Sequence, residues 1–147
     1  DDLTAKKDLI QVGIRSSGKP KSHWEGTFGV KQHWAHEVKE QGVDAIIEKI
    51  IAQLKADNVD EVYVSFDIDA LDETYAAATG TPEPDGLSPS EAMKILRAVA
   101  AQCPITGADM MEIAPFTDST GLGEASRDKT LAAGAEISAF LIEEMNK

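Results

Sequence analysis

The chain has 147 residues, 42% apolar content and a formal net charge of −12. That is enough for one domain with a core of its own, expected to span 1–147. So acidic a surface excludes nucleic-acid backbones and anionic membranes as natural partners and favours cationic substrates and metal ions.

The single cysteine, Cys103, rules out an internal disulfide and fits a reducing, cytoplasmic setting. No apolar run of about 18 residues exists to span a membrane. The opening Asp1-Asp2-Leu3-Thr4 lacks an initiator Met, a basic region and an apolar stretch. It does not read as a signal peptide, and it points to a fragment or a processed chain.

In chain order, Leu9 to Ile14 reads as a strand, and Arg15 to Gly29, rich in Ser, Gly, Lys and Pro, as a loop. Val30 to Trp34 is a short strand, followed by one or two helical turns over Ala35 to Gln41, closed by Gly42. Val43 to Lys55 is an amphipathic helix, because Val43, Ile46, Ile47, Ile50, Ile51 and Leu54 recur at spacings of three and four. Val59 to Asp69 is a strand and Asp72 to Leu87 a long loop. Ser88-Pro89-Ser90-Glu91 then opens a helix as a capping box, with Ser88 at N-cap, Pro89 at N1 and Glu91 at N3. Met93, Leu96 and Ala100 should line its inner face, and Pro104 follows its end. Ile105 to Ile113 is a strand, Pro115 to Gly123 a loop, and Ser126 to Met145 a final helix with Leu131, Ala135, Phe140, Leu141 and Met145 inward. The alternation of strand and helix predicts an α/β fold with a parallel sheet and helices on both faces.

The most informative stretch is S-F-D-I-D-A-L-D at 65–72. The apolar, β-branched run before it predicts a buried strand. Asp67 and Asp69, two residues apart in extended chain, would point to one side about 6.5–7 Å apart. Such a strand cannot hold two bare charges in its middle, which places them at its carboxyl end, where open α/β sheets bind ligands. Converging carboxylates repel unless a cation joins them, and Mg²⁺ or Mn²⁺ suits such oxygens. The plain alternative is an Asp-rich turn in which Asp bonds its own backbone. Met110-Met111-Glu112-Ile113 sets a further acid inside an apolar run, costly unless it meets a cation or forms an ordinary ion pair. Between the two lies a stiff loop, T-G-T-P-E-P-D-G-L-S at 79–88, in which Gly80 permits close backbone approach.

These motifs, with D-M-M-E-I-A-P at 109–115 and V-G-I-R at 12–15, together resemble the carboxyl-terminal half of the ureohydrolase family, which includes arginase, agmatinase and formimidoylglutamase. The resemblance implies part of a three-layer αβα sandwich around a parallel sheet. It implies Mn²⁺-dependent hydrolysis of a small cationic guanidino or amidine compound, agmatine- or arginine-like, to an amine plus urea (or formamide), with a metal-bridging hydroxide as nucleophile. By the same resemblance Asp67 and Asp69 match metal ligands, Glu112 matches the acid that meets the substrate's guanidinium or amidine group, and Thr81 matches a threonine beside it. No general acid is assigned. A homo-oligomer, trimeric or hexameric, is also implied.

Departures are visible. Glu73 and Ala77 stand where the family usually has proline, which should loosen the loop. The family's G-G-D-H-like and D-A-H-x-D stretches, which carry its other metal ligands, do not occur, and His23, His33 and His36 lie in other contexts. The chain is therefore a fragment, a subunit completed by a partner, or a degenerate relative that keeps the fold as a non-catalytic interaction chain. A haloacid-dehalogenase-like phosphatase, which also uses D-x-D, is disfavoured by Ala70-Leu71 where that class has Gly-Thr. A dinucleotide site at Gly121-Leu122-Gly123 lacks its third glycine.

Overall fold

The computed structural model describes residues 8–116 and 123–147. In chain order it holds β1 (Ile10–Ile14), α1 (Lys21–Phe28), β2 (Lys31–Trp34), α2 (Ala35–Gln41), α3 (Val43–Ala56), β3 (Val62–Asp67), a 3₁₀ turn (Ile68–Ala70), α4 (Pro89–Gln102), β4 (Ile105–Met111) and α5 (Glu124–Met145). β1 pairs with β2 and β3 with β4, both in parallel, as two two-stranded sheets rather than one continuous sheet. Parallel neighbours need a crossover, and α1 and α4 supply it. The α/β class follows from that arrangement.

Sequence periodicity locates most of these elements for identifiable reasons. The capping box of α4 is complete: Ser88 Oγ accepts from the Glu91 amide at 3.2 Å, and a Glu91 carboxylate oxygen accepts from the Ser88 amide at 2.8 Å. The inner faces of α3 (Ile46, Ile50, Leu54) and α4 (Met93, Ile95, Leu96, Val99) enter one core with Phe66, Ile68, Leu71, Leu87 and Ile105.

Three readings are corrected. Residues 21–28 are helical, although composition pointed to a loop. The helix is held by pairs four apart, Lys21 with Glu25 at 3.9 Å and the Trp24 and Phe28 rings at 5.9 Å, and ends at Gly29, whose φ of 74° is left-handed. The buried face of α5 is Thr130, Ala133, Gly134, Ile137, Phe140 and Leu141; Leu131, Ala135 and Met145 are exposed. Gly134 sets that phase, because a Cβ there would lie 2.6 Å from Ile113 Cδ1. Finally, the 72–87 loop is not loosened at Ala77, which is 2% exposed. Ala78 N donates to Thr130 Oγ1 at 3.0 Å, Ala114 N to Ala78 O at 3.0 Å and Glu73 N to Glu83 O at 3.1 Å. The loop expected over Pro115 to Gly123 lies mostly outside the described residues.

Candidate metal and cation site

Both strands of the β3–β4 pair end at one edge, since Asp67 is in register with Met111. On β3 the side chains alternate. Phe66 is buried, while Tyr63 (64% exposed) and Ser65 face outward. The strand is therefore covered on one face and open on the other in this chain, not buried on both. Asp109 of β4 lies on the open face and accepts from Tyr63 Oη at 2.9 Å and Ser65 Oγ at 2.7 Å.

Extended chain stops at Asp67. Its Oδ1 accepts from the Asp69 amide at 3.1 Å and so caps the 3₁₀ turn Ile68–Ala70. The separation derived for two positions of one strand therefore does not apply: Asp67 closes the strand, and Asp69 sits in the turn beyond it. The Asx-type bond read as the plain alternative is present, and it is made by Asp67. Burial pushes the Asp67 carboxyl above the ordinary Asp range of 3.8, and the negative charges of Asp69 and Glu112 push the same way, against the Asp69 amide bond.

Thr81, exposed on the 79–88 loop, donates from Oγ1 to Asp69 Oδ2 at 2.7 Å. Glu112 follows the last residue of β4, not inside the strand as expected, and it is exposed. Its φ of 63° is a left-handed conformation that costs a non-glycine residue energy and redirects the side chain at the strand end. The carboxylate lies against Gly80, where a Cβ would stand 3.2 Å from Glu112 Oε2. Gly80 thus does permit a close approach, and the group approaching is the Glu112 carboxylate. The structure brings Asp67, Asp69 and Thr81 into contact and sets Glu112 at the same edge.

The histidines are elsewhere. His33 pairs with Val12 across β1–β2, His23 packs on Trp24 and Phe28, and His36 packs on Trp34. Among the described residues no group of three His, Cys, Asp or Glu side chains gathers as a metal site. The donor set fits part of a centre. Asp67 and Asp69 are hard oxygen ligands whose mutual repulsion a divalent cation would relieve, but the described residues do not complete a coordination shell.

Residue reading overlooked Arg15. Its Nη2 donates to Asp69 O, and its Nη1 to Ala70 O at 3.0 Å. The signals were its place in V-G-I-R and a cation directly after an apolar strand, but its partners lie 54 and 55 positions away.

Comparison with known proteins agrees with this geometry. A family model described as Arginase family matches residues 1–142. Arginase-1 of Oryctolagus cuniculus is 29% identical over 134 residues, covering 91% of this chain and 41% of the relative. An agmatinase of Chromobacterium violaceum is 39% identical over 121 residues, covering 82% of this chain and 34% of that protein. The native structure of arginase from Bacillus caldovelox superposes with a TM-score of 0.71 at 26% identity, covering 95% of this chain and 43% of the other. The chain thus spans about two fifths of the length of the relatives it matches.

Proposed function

We propose that this chain, which belongs to the arginase family, forms the carboxyl-terminal part of a manganese-dependent hydrolase that releases urea from a linear guanidino compound, agmatine- or arginine-like. The observation that carries the reading is the shared edge: the Asp67 carboxylate bonded to the Asp69 amide, the Asp69 carboxylate held by Thr81, and a third carboxylate, Glu112, at the neighbouring strand end.

Asp67 and Asp69 would hold Mn²⁺, which when bound supplies a Lewis acid and lowers the pKa of water. Thr81 spends its hydroxyl proton on Asp69 Oδ2, which leaves the other Asp69 oxygen free to face a cation. Glu112 is left for the substrate. A guanidinium presents parallel N–H donors that match a carboxylate in bidentate fashion. Its exposed position and its close seat on Gly80 let it meet a planar cation while Asp67 and Asp69 meet the metal. Orientation of the substrate's central carbon beside the metal edge is what Glu112 contributes. The remaining metal ligands would come from polypeptide outside this chain. A cytoplasmic homo-oligomer is part of the same reading: the location is argued from the single free cysteine, Cys103, and the oligomer from the family resemblance alone.

In the protein that joins residues 1–147 to its complementary part, Glu112→Gln should lower urea release about ten- to a hundred-fold and leave bound manganese nearly intact. Asp67→Asn or Asp69→Asn should lower metal content and turnover together. Metal analysis by mass spectrometry beside a urea assay separates the two classes. An empty metal site in Glu112→Gln with a full one in Asp69→Asn would reverse the roles.

A further inference from the structure

We propose that Arg15 is a positioning residue of this site: its guanidinium locks the turn that carries Asp69 to the loop that carries Thr81. The functional part of this inference rests on the roles given above to Asp69 and Thr81; the clamp itself does not.

Arg15 leaves the end of β1 with its side chain 12% exposed. Nη2 donates to Asp69 O, and Nη1 to Ala70 O at 3.0 Å and Leu71 O at 3.5 Å. Three consecutive carbonyls of the Asp69 turn therefore face one planar cation. The remaining nitrogen, Nε, makes no hydrogen bond among the described residues and lies 3.7 Å from Glu83 Oε2. Glu83 stands two residues after Thr81. The two segments are also laced directly, Asp72 N to Leu87 O at 2.9 Å and Leu87 N to Ala70 O at 3.0 Å.

Gly86 shows how tight the seat is. A Cβ there would run into the Asp72 amide and lie 2.5 Å from Arg15 Nη1. A largely buried cation is costly unless its donors are met, and here main-chain carbonyls meet both Nη groups while the Glu83 carboxylate stands near Nε. A guanidinium reaches these carbonyls from two separate nitrogens in one fixed plane; a lysine ammonium is a compact point donor that cannot reproduce that spread. Because the carbonyl of Asp69 is itself held, rotation of that peptide unit, and with it the direction of the Asp69 carboxylate, is restrained. Ligand groups must be held to within about 0.5 Å for a metal site to work.

The test compares wild type, Arg15→Lys and Glu83→Gln in the protein that joins residues 1–147 to its complementary part. Amide hydrogen exchange and Mn²⁺ binding isotherms are the readouts. In Arg15→Lys the amides of Leu71, Asp72 and Leu87 should exchange about tenfold faster or more, and manganese should bind about tenfold more weakly. Protection of the α4 amides should stay as in wild type. Unchanged exchange and affinity would overturn the proposal, and so would acceleration spread evenly through α4 and α5, which marks a merely structural side chain. Should Arg15→Lys fail to fold, Glu83→Gln decides: a few-fold acceleration confined to the same three amides supports the clamp, and silence there overturns it. Exchange needs no turnover, so absence of urea release by wild type would defeat the hydrolase reading while leaving this one independently decided.

Discussion

His33 sits on β2 opposite Val12, half-buried, and burial holds its imidazole below the ordinary value of 6.5. The charge of Lys21 adds to the shift, and Glu37 opposes it. A depressed histidine means that the unfolded chain binds the proton more readily, so stability rises with pH through this window. The contribution is complete above 6.5 and is lost as pH falls through 6.5 toward the folded-state value. Asp67, raised above 3.8, acts in the opposite sense from that pH upward, and Asp72, held below 3.8 despite its burial by bonds from Thr74 N and Oγ1, acts only in stronger acid. The readout is therefore a difference between proteins. Between about pH 7.5 and about pH 5.5 the unfolding temperature of wild type should fall relative to that of His33→Gln. A constant difference across that range would show that His33 carries no linked proton. Legibility at this scale followed sequence distance. Asp67, Asp69, Thr81 and Glu112 stand in compact motifs whose residue types state their chemistry. Arg15 stands in V-G-I-R, but its role was not legible there, because the carbonyls that use it are more than 50 positions downstream and main-chain acceptors have no sequence signature.

Among the elements, α4 was the most legible because its start is written locally. Ser88, Pro89 and Glu91 each satisfy or remove an otherwise unpaired amide of the first turn. Ser88→Ala should cost about 1 kcal/mol and lower the melting temperature by about 2–4 °C, measured by thermal denaturation. A change below about 0.3 kcal/mol would mean that water replaces the cap without loss. By contrast α1 was hidden. Its flanks at Ser16, Ser17, Gly18 and Pro20 look like loop, no side chain caps it, and no residue of it is buried. Pairs of residues four apart and Gly29 at its end were the available signs. α5 was found, but with its inner face rotated. Its sequence is alanine-rich on several sides, so hydrophobic periodicity is weak, and the small residues Ala133 and Gly134 mark the contact with Ile113 better than the large ones do. The strand ends, too, were set by what burial alone does not encode. β3 ends at Asp67 because that side chain captures the Asp69 amide, and β4 ends before Glu112 as the backbone there turns left-handed.

At the scale of the molecule, the β3–β4 pair has one face packed on the common core and one carrying Tyr63, Ser65, Asp109 and Met111, with Met111 45% exposed. Parallel sheets are ordinarily covered on both faces. The open face and the two-carboxylate donor set among the described residues fit the proposed function, in which further polypeptide completes the site. The class of the fold was legible because strand and helix alternate. The split into two strand pairs was not, because which strands become neighbours depends on what lies between them in space. Under the proposed function this chain contributes two metal carboxylates and one substrate carboxylate to a larger arginase-family site. The most direct measurement is bound manganese and urea release, on agmatine and arginine, for residues 1–147 alone and joined in cis or in trans to an upstream arginase-family segment. The chain alone should bind manganese weakly and turn nothing over, and metal-dependent urea release should follow once it is joined. Robust turnover by the 147-residue chain alone, or a joined protein that binds manganese fully yet releases no urea from either compound, would contradict it.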